Sequence, residues 1–138
     1  MIRPSLAAAL AALFIAPTAG RADPCEAPLP TVAGRTFSGP VRYVGDGDSL
    51  CVGRSANPKS WIEVRLADFD APELQDACGE RAKALLQRVT RGRQLVCRST
   101  PGRSGRVVVY DRVIAVCTLG GRRLGDVLRA AGGAEGGR

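Results

Sequence analysis

The residues of this chain best suited to chemistry are a few carboxylates and arginines set beside short β-like segments. Asp48 closes the run Gly45-Asp46-Gly47-Asp48, and Asp70 and Glu73 flank Pro72 farther on, with Arg65 shortly before them. A hard divalent cation takes carboxylate and carbonyl oxygens, and Asp48 with Asp70 supplies two. A phosphodiester nearing its transition state gathers negative charge on its oxygens, which bidentate guanidinium forks hold well. The chain has no histidine. That excludes Ser-His-Asp and Cys-His catalysis, histidine-based ribonuclease chemistry and most transition-metal sites. The same residues also have ordinary uses: Asp46-Gly47-Asp48 suits a tight turn, and Asp70 and Glu73 suit the cap of a following helix.

The elements that must position these groups follow from periodicity. Val41 to Val44, the Asp/Gly turn and Ser49 to Val52 read as a β-hairpin. Trp61 to Asp68 alternates as a strand, with Ile62, Val64 and Leu66 on one face and Glu63 and Arg65 on the other. Gly79 to Arg91 repeats Ala82, Leu85, Leu86 and Val89 at helical spacing. Leu95 to Cys97 and Val113 to Leu119 read as two more strands around a glycine-rich link, and Leu124 to Ala131 as a short helix. Such an order predicts a mainly β, α+β domain: a five-stranded OB-type barrel with one or two packed helices.

Four blocks in this order resemble the staphylococcal nuclease (thermonuclease) family. They are Gly45-Asp46-Gly47-Asp48-Ser49-Leu50, Val64 to Glu73, Gly79-Glu80-Arg81-Ala82, and Tyr110 to Cys117 followed by Gly120-Gly121 and Leu124 to Leu128. The resemblance spans residues 38–133 and implies an OB-fold nuclease that cleaves DNA or RNA with one calcium ion. Carried over residue by residue, it makes Asp48, Asp70 and the backbone carbonyl of Ala71 the metal ligands. It makes Glu73 the group that orients or activates water, Arg65 and Arg112 the phosphate clamp, and Tyr110 a substrate contact. Three departures stand out: Asp111 where the family has glycine, Asp68 in a segment the family keeps apolar, and no counterpart of the family's third, C-terminal helix. Arg106 is a second candidate for the clamp position of Arg112.

The remaining features concern compartment and partners. Arg3 precedes an apolar run from Leu6 to Ala16, and Gly20-Arg21-Ala22 suits cleavage, the layout of a signal peptide over residues 1–22. An extended lead-in is expected over 23–37, the domain over 38–133 and a flexible tail over 134–138. The expectation is an exported protein, periplasmic or secreted, monomeric and without stable membrane association. The net charge of +7, nearly all of the basic side being arginine, suits a DNA or RNA substrate. Cys25, Cys51, Cys78, Cys97 and Cys117 read as a disulfide framework with one thiol left over. Cys97 and Cys117, in successive strands, suit a cross-strand disulfide or a buried pair, and none of the five forms a C-x-x-C zinc pair. The leading expectation is an exported calcium-dependent phosphodiesterase. The alternatives are an OB-fold nucleic-acid-binding module that no longer cuts, and a disulfide-stabilised structural domain.

Overall fold

A computed structural model of the chain describes residues 23–136. Residues 1–22, the expected signal peptide, lie outside the described residues. The elements are β1 (Thr36–Asp46), β2 (Ser49–Gly53), β3 (Trp61–Leu66), α1 (Gly79–Thr90), β4 (Gln94–Ser99), β5 (Val108–Val109), β6 (Arg112–Leu119), β7 (Arg122–Arg123) and α2 (Leu124–Ala130). A single 3₁₀ turn at Pro58–Ser60 begins behind Asn57, whose side chain accepts from the Lys59 amide.

β1, β2 and β3 form an antiparallel meander, with Val44 opposite Leu50 and Leu50 opposite Val64. β4 pairs with β1 on one side and β6 on the other, both antiparallel. The ring closes where β3 meets β6 in parallel, with Val64 beside Val113 and Arg65 beside Ile114. The result is the five-stranded OB-like barrel expected from the sequence, with two helices packed on it. β5 and β7 are two-residue additions to β6.

Alternation along the strands builds the core. On β6, Val113, Ala115, Cys117 and Leu119 turn inward while the residues between them stay half-exposed. They meet Leu50 and Val52 of β2, Val64 and Leu66 of β3 and Leu95 of β4. Leu86 of α1 and Leu124 and Leu128 of α2 close over this cluster. Burying each such side chain contributes roughly 1.5–3 kcal/mol.

Two disulfides link distant parts of the chain. Cys97 and Cys117 face each other across β4 and β6 and are bonded. Cys25 bonds to Cys51 of β2, fastening the lead-in to the barrel. The lead-in is held along its length: the Glu26 amide donates to the Pro58 carbonyl and the Gly34 amide to the Ser99 carbonyl. Cys78 is the free thiol, exposed just before α1. Two disulfides are those of a protein that folds in an oxidising compartment. Among the described residues no helix is long and apolar enough to cross a membrane.

The expected tail over 134–138 is described as far as residue 136. Through residue 136 it folds back from α2, and the Gly136 amide donates to the Asp70 carbonyl at 2.8 Å. The Glu135 side chain adds to this docking by accepting from the Asp70 amide, and neither bond shows as an apolar period in the sequence.

Candidate active site

The β1–β2 turn brings the first carboxylate into place. The Asp46 side chain accepts from the Asp48 amide at 3.0 Å and from Ser49 Oγ at 2.7 Å, which fixes the turn. Burial would raise the Asp46 pKa, but these hydrogen bonds outweigh it and hold the carboxyl below its ordinary value. Gly47 lets the turn lie against its neighbours, because a Cβ there would come within 2.5 Å of the Ala71 Cβ and 2.6 Å of the Ala82 Cβ. The turn that carries Asp48 is therefore seated on α1 and on the loop after β3.

That loop supplies the second carboxylate. Asp48 is buried, and its Oδ2 accepts from the Ala71 amide at 2.8 Å. Arg65, at the end of β3, points its guanidinium into the same space. Its Nη2 lies 3.3 Å from Asp48 Oδ2 and also pairs with Asp70 Oδ1. Its Nη1 donates to the Leu66 carbonyl at 2.6 Å and the Phe69 carbonyl at 2.9 Å. Burial pushes the Asp48 carboxyl up to about 6, with Arg65 pulling it down and Asp46 adding to the rise. Asp48, Arg65, Asp70 and Ala71 thus converge from two loops and one strand end.

The other expected residues lie around this centre. Glu73 is half-buried in the loop leading to α1, and its carbonyl accepts from the Asp76 amide at 2.9 Å. Arg112 begins β6 beside β3, where its charge acts on Asp46 and on Glu63. Tyr110 is 86% exposed, and with Asp111 it forms the tip of the β5–β6 hairpin, both at positive φ (50° and 60°). A two-residue turn with both central residues left-handed matches the twist of a hairpin, and aspartate tolerates that conformation better than most residues. Arg106 lies on the exposed glycine-rich link, its carbonyl accepting from the Gly102 amide.

Three residues at this centre were not legible as such in the sequence. Arg103, on the link between β4 and β5, reaches Asp70 Oδ2 at 2.6 Å. It lines, with Arg65, Asp70 and Gly102, a cavity of about 230 Å³. Glu135 Oε1 accepts from the Asp70 amide at 3.3 Å, and Arg129 of α2 donates to Glu135 at 3.0 Å and to the Asp68 carbonyl. Arg129 also lies 5.6 Å over the Phe69 ring. The α2 helix and the segment after it therefore clasp the 68–70 segment. Periodicity could not have found these contacts; only the excess of arginine hinted at partners for the acids.

Asp68 packs against Gly125 in α2. Its carboxylate faces the start of α2, where a Cβ on Gly125 would lie 2.7 Å from Oδ2. Both oxygens are buried and make no hydrogen bond among the described residues. The positive end of the helix backbone stabilises a nearby negative charge.

Another carboxylate pair lies near Arg112. Glu63, opposite Cys51 in the β2–β3 ladder, is pushed up to about 7 by burial first and then by the Asp23 carboxyl hydrogen-bonded to it. Asp23, Cys25 and Cys51 also come close enough to suggest a metal cluster. Both cysteines are spent in the disulfide, which leaves no thiolate for a metal. Comparison with known family models and with curated protein sequences finds no match.

Proposed function

We propose that this chain is an exported, metal-dependent phosphodiesterase that hydrolyses DNA or RNA, as its resemblance to the staphylococcal nuclease family implies. The observation that carries the reading is the convergence of Asp48 and Asp70 on one guanidinium, Arg65, at the edge of a cavity shared with Arg103. The hydrogen-bond and ion-pair partners of that guanidinium are oxygens, from the Asp48 and Asp70 carboxylates and the carbonyls of Leu66 and Phe69. Such a donor set suits a hard divalent cation such as calcium and does not suit a soft metal. Asp48 and Asp70 would hold it, with the Ala71 carbonyl as the third ligand. When bound it would polarise the phosphate and favour ionisation of a water.

The chain's own residues do the rest. Arg65 neutralises charge developing on the phosphate oxygens. Arg103 is the better placed of the candidates for a second guanidinium, since it lines the same cavity, whereas Arg112 acts on Asp46 and Glu63. Glu73 accepts the proton of the attacking water as the new P–O bond forms, the P–O bond to the leaving sugar oxygen breaks, and that oxygen takes a proton from solvent. Export is supported by the two disulfides and by the Leu6 to Ala16 run behind Arg3.

The test is cleavage of single-stranded DNA and of RNA by the full chain with calcium, with EDTA, and in Arg65→Ala, Asp70→Ala and Arg103→Ala. Calcium-dependent cleavage is expected, lost at least about 100-fold in the first two variants and about 10-fold in the third. A folded Arg65→Ala that cuts as fast as the parent would refute the site. A binding module without cleavage is the second reading. It is favoured by one contact: the Gly136 amide donates to the Asp70 carbonyl at 2.8 Å, which brings the end of the chain beside an expected metal ligand. Calcium-independent DNA binding with no product would support it.

A further inference from the structure

Between β1 and α1 runs an open groove of about 440 Å³ that takes no part in the site described above. Arg42 and Tyr43 form one wall, and Lys83, Gln87 and Arg91 form the other. Lys83 and Gln87 fall on one helix face, as residues four apart do, and Arg91 is the residue that ends the helix just beyond them. Eight residues of helix extend about 12 Å, a length that faces several phosphates of a strand. Three cations line the groove and no acid does. Tyr43 is one of four large hydrophobic side chains left exposed among the described residues. Arg42 is anchored, its Nε donating to the Gly53 carbonyl at 2.9 Å.

Both walls of the groove adjoin the turn of the candidate active site. Its β1 wall leads directly into the turn bearing Asp46 and Asp48. Its helix wall starts beside Ala82, the residue on which Gly47 of that turn is seated. Repeated phosphates beside unpaired bases are the chemistry that matches such a surface: cations for the backbone, and an aromatic face on which any base stacks. We propose that the groove between β1 and α1 binds single-stranded nucleic acid and leads it toward the Asp48 turn. The inference rests on the phosphodiesterase reading for its occupant, and it is tested without cleavage.

The experiment measures binding of a fluorescent oligothymidylate of about 20 nucleotides to the full chain in EDTA, as a function of salt. Each lost phosphate contact lowers the slope of log affinity against log salt by about 0.7 for a single strand. Lys83→Ala/Arg91→Ala is expected to lower that slope by about 1.4. Arg54→Ala/Lys59→Ala removes the same charge elsewhere on the surface and is expected to leave the slope nearly unchanged. Tyr43→Ala is expected to weaken binding about tenfold, with Tyr43→Phe restoring it. Equal loss in both double variants would show a diffuse positive surface and overturn the groove. Equal affinity for polyglutamate of matched charge would overturn its assignment to nucleic acid. Groove-dependent binding by a protein that cuts nothing with calcium would sink the nuclease reading and leave the groove standing, whereas calcium-dependent cleavage with an unchanged slope would do the reverse.

Discussion

Asp48→Asn separates what this carboxylate does for function from what it does to stability. Burial, opposed by Arg65, pushes the Asp48 carboxyl from 3.8 up to about 6. Below 3.8 the folded and unfolded chains both hold the proton, and Asp48 contributes nothing. Between those values the folded chain keeps a proton that the unfolded chain releases, so stability falls as pH rises. Above about 6 both are ionised and the full cost is present. At about 1.4 kcal/mol per tenfold change in proton affinity, that cost is about 3 kcal/mol at most. Asparagine keeps the shape and the acceptor for the Ala71 amide, and Arg65 retains Asp70, Leu66 and Phe69 as partners. Its amide hydrogens find a poorer setting beside Arg65, which takes back about 1 kcal/mol. The variant should therefore be about 1–2 kcal/mol more stable than the parent near pH 7.5, and no more stable near pH 4. Urea unfolding in EDTA at the two pH values reads this directly. Glu63 titrates over an overlapping range but is common to both proteins, so it cancels in the difference. In the same variant, calcium-dependent cleavage should fall at least about 100-fold. A variant less stable than the parent at neutral pH, or a difference that ignores pH, would refute the burial argument.

Two other perturbations probe the scaffold. Arg129→Ala removes the ring contact with Phe69 and the bonds to Glu135 and to the Asp68 carbonyl. Because this arginine is 42% exposed, the stability loss should be modest, about 1 kcal/mol. Limited proteolysis should nonetheless cut the chain after Asp70 faster than in the parent, and unchanged cleavage there would show that the clasp is unimportant. Replacing Cys97 and Cys117 by alanine opens a link across 20 residues of sequence. The loss should be about 2–4 kcal/mol in urea unfolding, matched by reduction of the parent after allowing for Cys25–Cys51, and a loss under 1 kcal/mol would contradict it.

How much of the molecule was legible in its sequence depends on the range of the interactions. The strands and helices showed because each displays its own period: Val113, Ala115, Cys117 and Leu119 alternate, and Leu85, Leu86 and Val89 lie on one helical stripe. Most observed bounds differ by a residue or two where strand ends fray into turns, as where β3 stops at Leu66 before the expected Asp68, but β1 begins at Thr36, five residues before the expected Val41 and inside the expected lead-in. The Asp46-Gly47-Asp48 turn showed because local hydrogen bonds shape it. Within the candidate site, Asp48, Arg65 and Asp70 stood out by residue type and by their places at the ends of elements.

The rest was settled only when the barrel closed. Parallel pairing of β3 with β6 sets Arg112 toward Asp46 and Glu63. It is the tertiary path of the β4–β5 link that delivers Arg103 to Asp70, 33 residues away, and the return of the chain after α2 that delivers Glu135, 65 residues away. No periodicity announces such partners, because an exposed arginine or glutamate is compatible with almost any neighbour. The pairing of Cys25 with Cys51 was equally open, since a disulfide needs two β-carbons a few ångströms apart and sequence spacing does not measure that distance. By itself the sequence determined the main elements, the alternation that builds the core and the carboxylate-and-guanidinium character of the candidate site, because these depend on backbone periods and on side-chain type. The tertiary structure alone decided which arginine meets which acid, because that depends on the distances left once the apolar faces are buried.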